Sequence, residues 1–199
     1  MRLFDMPDSG NCYKVRLMLA LLGRRFERIV IDPDAGETRT AEFLALNPYG
    51  KVPVLEVSPG EFLPESNAIL CHLAEGTPYL PAAGMDRARV MQWLFWEQYS
   101  HEPNIAVARH WLKHLELDEA RRAELAVRQE KGRAALEALE RRLTEADWLA
   151  AGRFTTADVA LFAYTHVAPE GGIGLNPFPA VRAWIARVED VPGFVPLSA

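Results

Sequence analysis

Between Gly76 and Gly84 the chain changes its grammar, and that change limits the possible folds more than any other feature. The segment Gly-Thr-Pro-Tyr-Leu-Pro-Ala-Ala-Gly carries two glycines and two prolines and reads as a linker. Before it, strand-like and helix-like runs alternate. Arg2–Asp5, Phe26–Ile31, Val52–Val57 and Glu61–Leu63 read as strands. Asn11–Leu22, with Val15, Leu19 and Leu22 on one face, reads as a helix stopped by Gly23. Thr40–Leu46 and Glu65–Ala74 read as two shorter helices. The order is β-α-β-α-β-β-α. After the linker only helical patterns occur: Asp86–Leu115, kinked at Pro103, then Asp118–Thr144, Thr155–Val167 and Pro179–Val188. The expected architecture is a small α/β domain over 1–75, a linker over 76–84, and an all-α domain over 85–199.

Composition removes several function classes. The net charge is -5 with a pI near 5.6, so nothing calls for nucleic acid or an anionic membrane. The N-terminus has no extended apolar run of the signal-peptide kind, and no stretch is long and apolar enough to span a bilayer. A cytoplasmic location is expected. The two cysteines, Cys12 and Cys71, lack a zinc-ligand pattern and read as reduced thiols.

Three segments carry candidate chemistry. Phe4–Lys14 joins the first strand to the first helix, with Ser9 or Asn11 as its cap. Unpaired N–H groups and partial positive charge at a helix N-terminus stabilise anions. With a Ser9 hydroxyl donor added, the place favours a thiolate over a thiol. Asn47-Pro48-Tyr49-Gly50-Lys51-Val52-Pro53 is the second segment. A cis bond is cheap only before proline, and a cis Val52–Pro53 bond would turn the Val52 backbone outward to pair with a peptide-like ligand. In the third, Glu65 and Ser66 open a helix. Ser66 suits a carboxylate and Glu65 an ammonium group, the two charges of an α-amino acid end. Taken alone, Ser9 is equally a simple N-cap, Pro53 is also readable as an edge-strand proline, and Glu65–Ser66 reads more readily as an ordinary cap.

In this order and spacing the three segments resemble the glutathione transferase superfamily, and the resemblance covers essentially the whole chain. Asn-Pro-x-Gly-Lys-Val-Pro followed by Glu-Ser-x-Ala-Ile carries it, together with Phe154–Phe162, which matches the family's capping-box helix. The resemblance implies a thioredoxin-like first domain, an all-helical second domain and glutathione as co-substrate, with no metal. Thr155 and Asp158 would cap each other's backbone N–H groups. Ser9, five residues before Lys14, fits the position that activates the glutathione sulfur in serine-type members, and Asn11 is a second candidate. Val52 and Pro53 would meet the cysteinyl backbone, and Glu65 and Ser66 the γ-glutamyl end. Arg39 or Lys51 would meet the glycine carboxylate. Tyr13 lies too far into the helix to be a catalytic tyrosine, and Cys12 falls a turn into it, which argues against dithiol chemistry.

The second domain is expected to supply a pocket for a small hydrophobic electrophile, with Trp96, Tyr99 and His101 as lining residues. Glu97, His101 and Glu102 read as polar groups near the cleft or a dimer interface, and His166 and Glu170 flank a glycine-rich loop without a nucleotide fingerprint. The resemblance also implies a homodimer formed through the helices at Glu65–Ala74 and Asp86–Leu115. The leading reading is a transferase that adds the thiolate to an electrophile. A glutathione-dependent disulfide reductase or peroxidase, and a non-catalytic binding protein of the same fold, are the alternatives.

Overall fold

The computed structural model describes all residues from 1 to 199. It divides into two compact units, Met1–Glu75 with Pro192–Ala199, and Gly76–Val191.

In the first unit the elements are β1 (Arg2–Asp5), α1 (Gly10–Leu21), β2 (Glu27–Val30), α2 (Ala41–Leu46), β3 (Val54–Ser58), β4 (Glu61–Pro64) and α3 (Ser66–Ala74). A short 3-10 turn, Glu37–Arg39, precedes α2. The strands form one sheet in the order β2-β1-β3-β4, with β1 parallel to β2 and antiparallel to β3. Side chains alternate across a strand. Phe4 and Val54 therefore share one face, where Phe43 of α2 and Phe62 of β4 meet the Phe4 ring edge-on. Leu3 and Leu55 point to the other face and are fully buried. Helices α1 and α3 pack against each other. This is a thioredoxin-like domain, as the element order predicts.

Local chemistry explains the helix ends. Ser9 caps α1, its Oγ accepting from Cys12 N at 3.3 Å. Gly23 follows α1 at φ 61, and the next amide, Arg24 N, reaches back to Leu19 O. Thr40 caps α2 by accepting from Phe43 N.

One boundary differs from the expected domain over 85–199: residues 192–199 leave the helical unit and join the first one. The reason is a row of donors on the first unit that pair with tail carbonyls. Tyr13 Oη donates to Val195 O at 2.7 Å, Arg16 Nη2 to Leu197 O at 2.9 Å, and Arg28 Nη1 to Ala199 O at 3.2 Å. Asp5, fully buried, holds both arginines, with Oδ1 2.6 Å from Arg16 and Oδ2 2.5 Å from Arg28.

The second unit is helical: α4 (Gly84–Trp96), α5 (Glu102–His114), α6 (Glu119–Glu145), α7 (Thr156–Thr165) and α8 (Pro179–Glu189). The expected single helix over 86–115 is divided by a π-helical turn, Glu97–His101. Proline has no N–H, and its ring crowds the carbonyl four residues earlier. Here the disturbance is absorbed one turn before Pro103, where Glu102 N bonds Glu97 O, five residues back. Helix α7 is buried along its whole length. No helix is long and apolar enough to cross a membrane.

Candidate functional site

Four side chains meet where α1 begins beside α3. Lys14 is fully buried, and its Nζ lies 2.8 Å from Asn11 Oδ1, 3.4 Å from Ser66 Oγ and 3.5 Å from Asn67 Oδ1. The Ser66 hydroxyl donates to Asn11 Oδ1 at 3.2 Å. Asn11 and Lys14 sit three apart on one helix and therefore face the same side. The structure thus gathers Asn11 and Ser66, placed on separate segments by sequence, around one ammonium. Ser9 stands at the same helix end and remains half-buried.

Glu65 precedes α3 with φ 71 and ψ 108. A side-chain-bearing residue with positive φ is strained by about 1–3 kcal/mol, and such strain concentrates at ligand clamps. Its side chain is exposed while the adjacent Ser66 is buried.

The loop before β3 is organised from within by Asn47. Its Nδ2 donates to Lys51 O at 2.7 Å and its Oδ1 accepts from Tyr49 N at 3.1 Å. The Val52–Pro53 bond is cis, the geometry that the Val-Pro pair allows. Gly50 has φ 61, and a Cβ there would lie 2.5 Å from Arg39 Nη1. Arg39 therefore drapes over the loop that carries Lys51, and the two basic candidates share one region. Tyr13 is buried, and its hydroxyl donates to Val195 O. Cys12 is also buried, and burial pushes its thiol up to about 12, which disfavours the thiolate.

In the helical unit, Trp96 and Tyr99 line an open cavity of about 550 Å³ with Ser100, Pro103, Arg128 and Lys131. His101 does not line it. It is fully buried, with Nε2 2.9 Å from Thr165 Oγ1, because the π-helical turn rotates it into the core. Glu97 is buried as well. Glu170 accepts from Arg109 at 2.7 Å and Lys113 at 3.1 Å, and His166 stacks on Phe162 at 4.5 Å. Both hold the fold together.

Sequence reasoning used Lys14 only as a spacing marker and missed its central place. The signal was present: an amide and an amine three residues apart in a helix. It also missed Asn67, the residue after Ser66, whose side chain reaches the same ammonium.

Comparison with known proteins identifies the family. The glutathione S-transferase N-terminal domain matches residues 1–75, and the C-terminal domain matches residues 91–192. The crystal structure of a glutathione S-transferase from Pseudomonas fluorescens Pf-5 superposes with a TM-score of 0.97 at 46% identity, covering 100% of this chain and 98% of that one. Glutathione S-transferase 3 of Zea mays is 31% identical over 98% of this chain and 91% of its own length. Protein URE2 of Eremothecium gossypii is 27% identical over 97% of this chain, which spans only 66% of that protein. Ure2p in complex with glutathione superposes with a TM-score of 0.85 at 26% identity, covering 96% of this chain and 90% of that chain. The chain belongs to the glutathione S-transferase family.

Proposed function

We propose that the protein is a glutathione transferase that holds glutathione as a thiolate on its first unit and adds the sulfur to a small hydrophobic electrophile. The carrying observation is the meeting of Asn11 and Ser66 around Lys14, at the helix end that Ser9 caps. The γ-glutamyl ammonium would pair with Glu65 and its carboxylate with Ser66. The Val52 backbone next to Pro53 would pair with the cysteinyl residue, and Arg39 and Lys51 would face the glycine carboxylate. The sulfur would then lie at the start of α1, within reach of Ser9 and Asn11. The complex of Ure2p with glutathione supports the choice of ligand.

Catalysis in this reading is thiolate stabilisation plus proximity. With Cys12 buried, a disulfide or peroxide substrate would also be attacked by the glutathione sulfur rather than by Cys12. The proposal extends to a cytoplasmic homodimer with a detoxifying role. Calorimetry with glutathione tests it, on the wild type and on a Glu65→Ala, Ser66→Ala double variant. Binding should be present in the first and weakened at least tenfold in the second; equal affinity sinks the assignment. Turnover with a panel of electrophiles, disulfides and peroxides then separates conjugation from reduction, and no turnover with any of them rejects the enzymatic reading.

A further inference from the structure

The contact between Lys14 Nζ and Asn11 Oδ1, at 2.8 Å, decides which way the Asn11 amide faces. An amide oxygen and nitrogen look alike in shape and are told apart by their partners. An ammonium offers donors only, so the oxygen must be the atom that meets it. The Ser66 hydroxyl points at the same oxygen from α3. Lys14 and Ser66 are buried, whereas Asn11 is half-buried. Oδ1 is thus held by both, and Nδ2, bonded to the same planar carbon, occupies the other edge of the amide.

We propose that Lys14 is a positioning residue for the sulfur site: by holding Asn11 Oδ1 it aims the Asn11 N–H at the glutathione sulfur. The assignment rests on the reading that glutathione binds with its sulfur at the start of α1. The thiol proton passes to water, and the amide N–H donates to the anion that remains. The S–H bond is the only covalent bond broken.

Ser66 shows why an ammonium is needed. A hydroxyl has one proton, and in this structure Ser66 directs it at Asn11 Oδ1. A γ-glutamyl carboxylate bound at Ser66 draws that proton to itself. Lys14 carries three donors and keeps hold of the amide while the ligand is present. Asn67 Oδ1, from α3, also accepts from Nζ at 3.5 Å and helps keep it in place.

The test is the apparent pKa of enzyme-bound glutathione, followed by thiolate ultraviolet absorbance in wild type, Lys14→Met, Asn11→Ala and the double variant. Each single change should raise that pKa by about one unit, roughly tenfold in ionisation, the scale of a lost charge-assisted hydrogen bond. The double variant should match Asn11→Ala alone. Additive shifts overturn the assignment, because Lys14 would then act through its own charge. Asn11→Asp gives a second test that does not depend on Lys14→Met folding. It keeps an oxygen for Lys14 but offers the sulfur no N–H, so it should raise the pKa at least as far as Asn11→Ala does. An unchanged curve in Asn11→Asp also overturns the assignment. If the wild type binds no glutathione, the underlying reading fails as a whole; if it binds and the shifts add, only the role of Lys14 fails.

Discussion

Trp184 Nε1 donates to Asp158 Oδ1 at 3.0 Å, joining α8 to the first turn of α7 where both side chains are fully buried. The same carboxylate accepts from Leu149 N, Thr155 N and Thr155 Oγ1. The capping box expected from Thr155 and Asp158 is present. The carboxylate does more than cap, since it also gathers the loop before α7 and the indole of α8. An acid in such a place is easily mistaken for a catalyst, yet its partners are all structural.

Thr155→Ala should destabilise the protein by about 1–2 kcal/mol, the scale of a lost cap. Asp158→Ala should cost more, about 3–5 kcal/mol, because it strands buried donors on three separate segments. Urea unfolding measures both. Activity per folded molecule should hardly change, and a stable Asp158→Ala protein without turnover would falsify the structural role.

Burial pushes the Asp158 carboxyl up to about 6, from an ordinary 3.8, against the pull of its donors. Between those values the folded chain keeps a proton that the unfolded chain has released. This contribution to stability is therefore full below about pH 4. It falls as pH rises toward 6 and is level above, a loss on the order of 3 kcal/mol. Asp158→Asn should flatten this dependence. Comparing unfolding free energies of the two proteins from acid to neutral pH checks it, and a wild type that gains on the variant as pH rises contradicts it.

Glu65→Gly and Glu65→Ala both remove the carboxylate, but only glycine accepts φ 71 without strain. Glu65→Gly should be more stable than Glu65→Ala by about 1 kcal/mol, while both lose glutathione affinity to a similar degree. Thermal unfolding and calorimetry on the pair separate conformation from charge. Equal stabilities would show that the backbone relaxes without the ligand-facing side chain.

Ser9→Ala should show two effects at once. Losing the cap should cost about 1 kcal/mol of stability. Losing a hydroxyl donor should raise the pKa of bound glutathione by about one unit. Ser9→Thr should restore both. If only stability changes, Ser9 is a cap and nothing more.

Met85, Phe95 and Tyr99 are all exposed along α4 and the π-helical turn, Tyr99 to 87%. An exposed apolar row of this kind suits a subunit interface. Light scattering of the 22.3 kDa chain should give twice that mass at micromolar concentration, and Tyr99→Asp should shift it toward the monomer. A wild-type monomer removes the proposed dimer.

Much of this was legible in sequence because the responsible physics is local. The strand and helix order of residues 1–75 follows from period and turn residues, and the cis bond from one Val-Pro pair. The cap at Ser9 needed only the choice between two neighbouring polar residues. His101 was misplaced because the irregularity was expected at Pro103 and lies a turn earlier, at Glu97–His101. The π-helical turn adds a residue and rotates every side chain after it, and no propensity scale shows that. Lys14 was undervalued because its partners Ser66 and Asn67 lie more than fifty positions away. The tail was missed for a similar reason, since backbone carbonyls accept regardless of which side chain they carry.

That tail has a consequence for how the protein is made. Tyr13 and Val195 are separated by 182 positions, and Arg16 and Leu197 by 181. A ribosome adds about 5–20 residues per second, so donors in the first unit precede their acceptors by roughly ten seconds or more. Through that interval Tyr13, Arg16 and Arg28 have no tail carbonyls to donate to. The helical unit is synthesised entirely within the wait. The first unit, though begun before the helical one, is thus finished after it, and its final hydrogen bonds close only once its neighbour has been made.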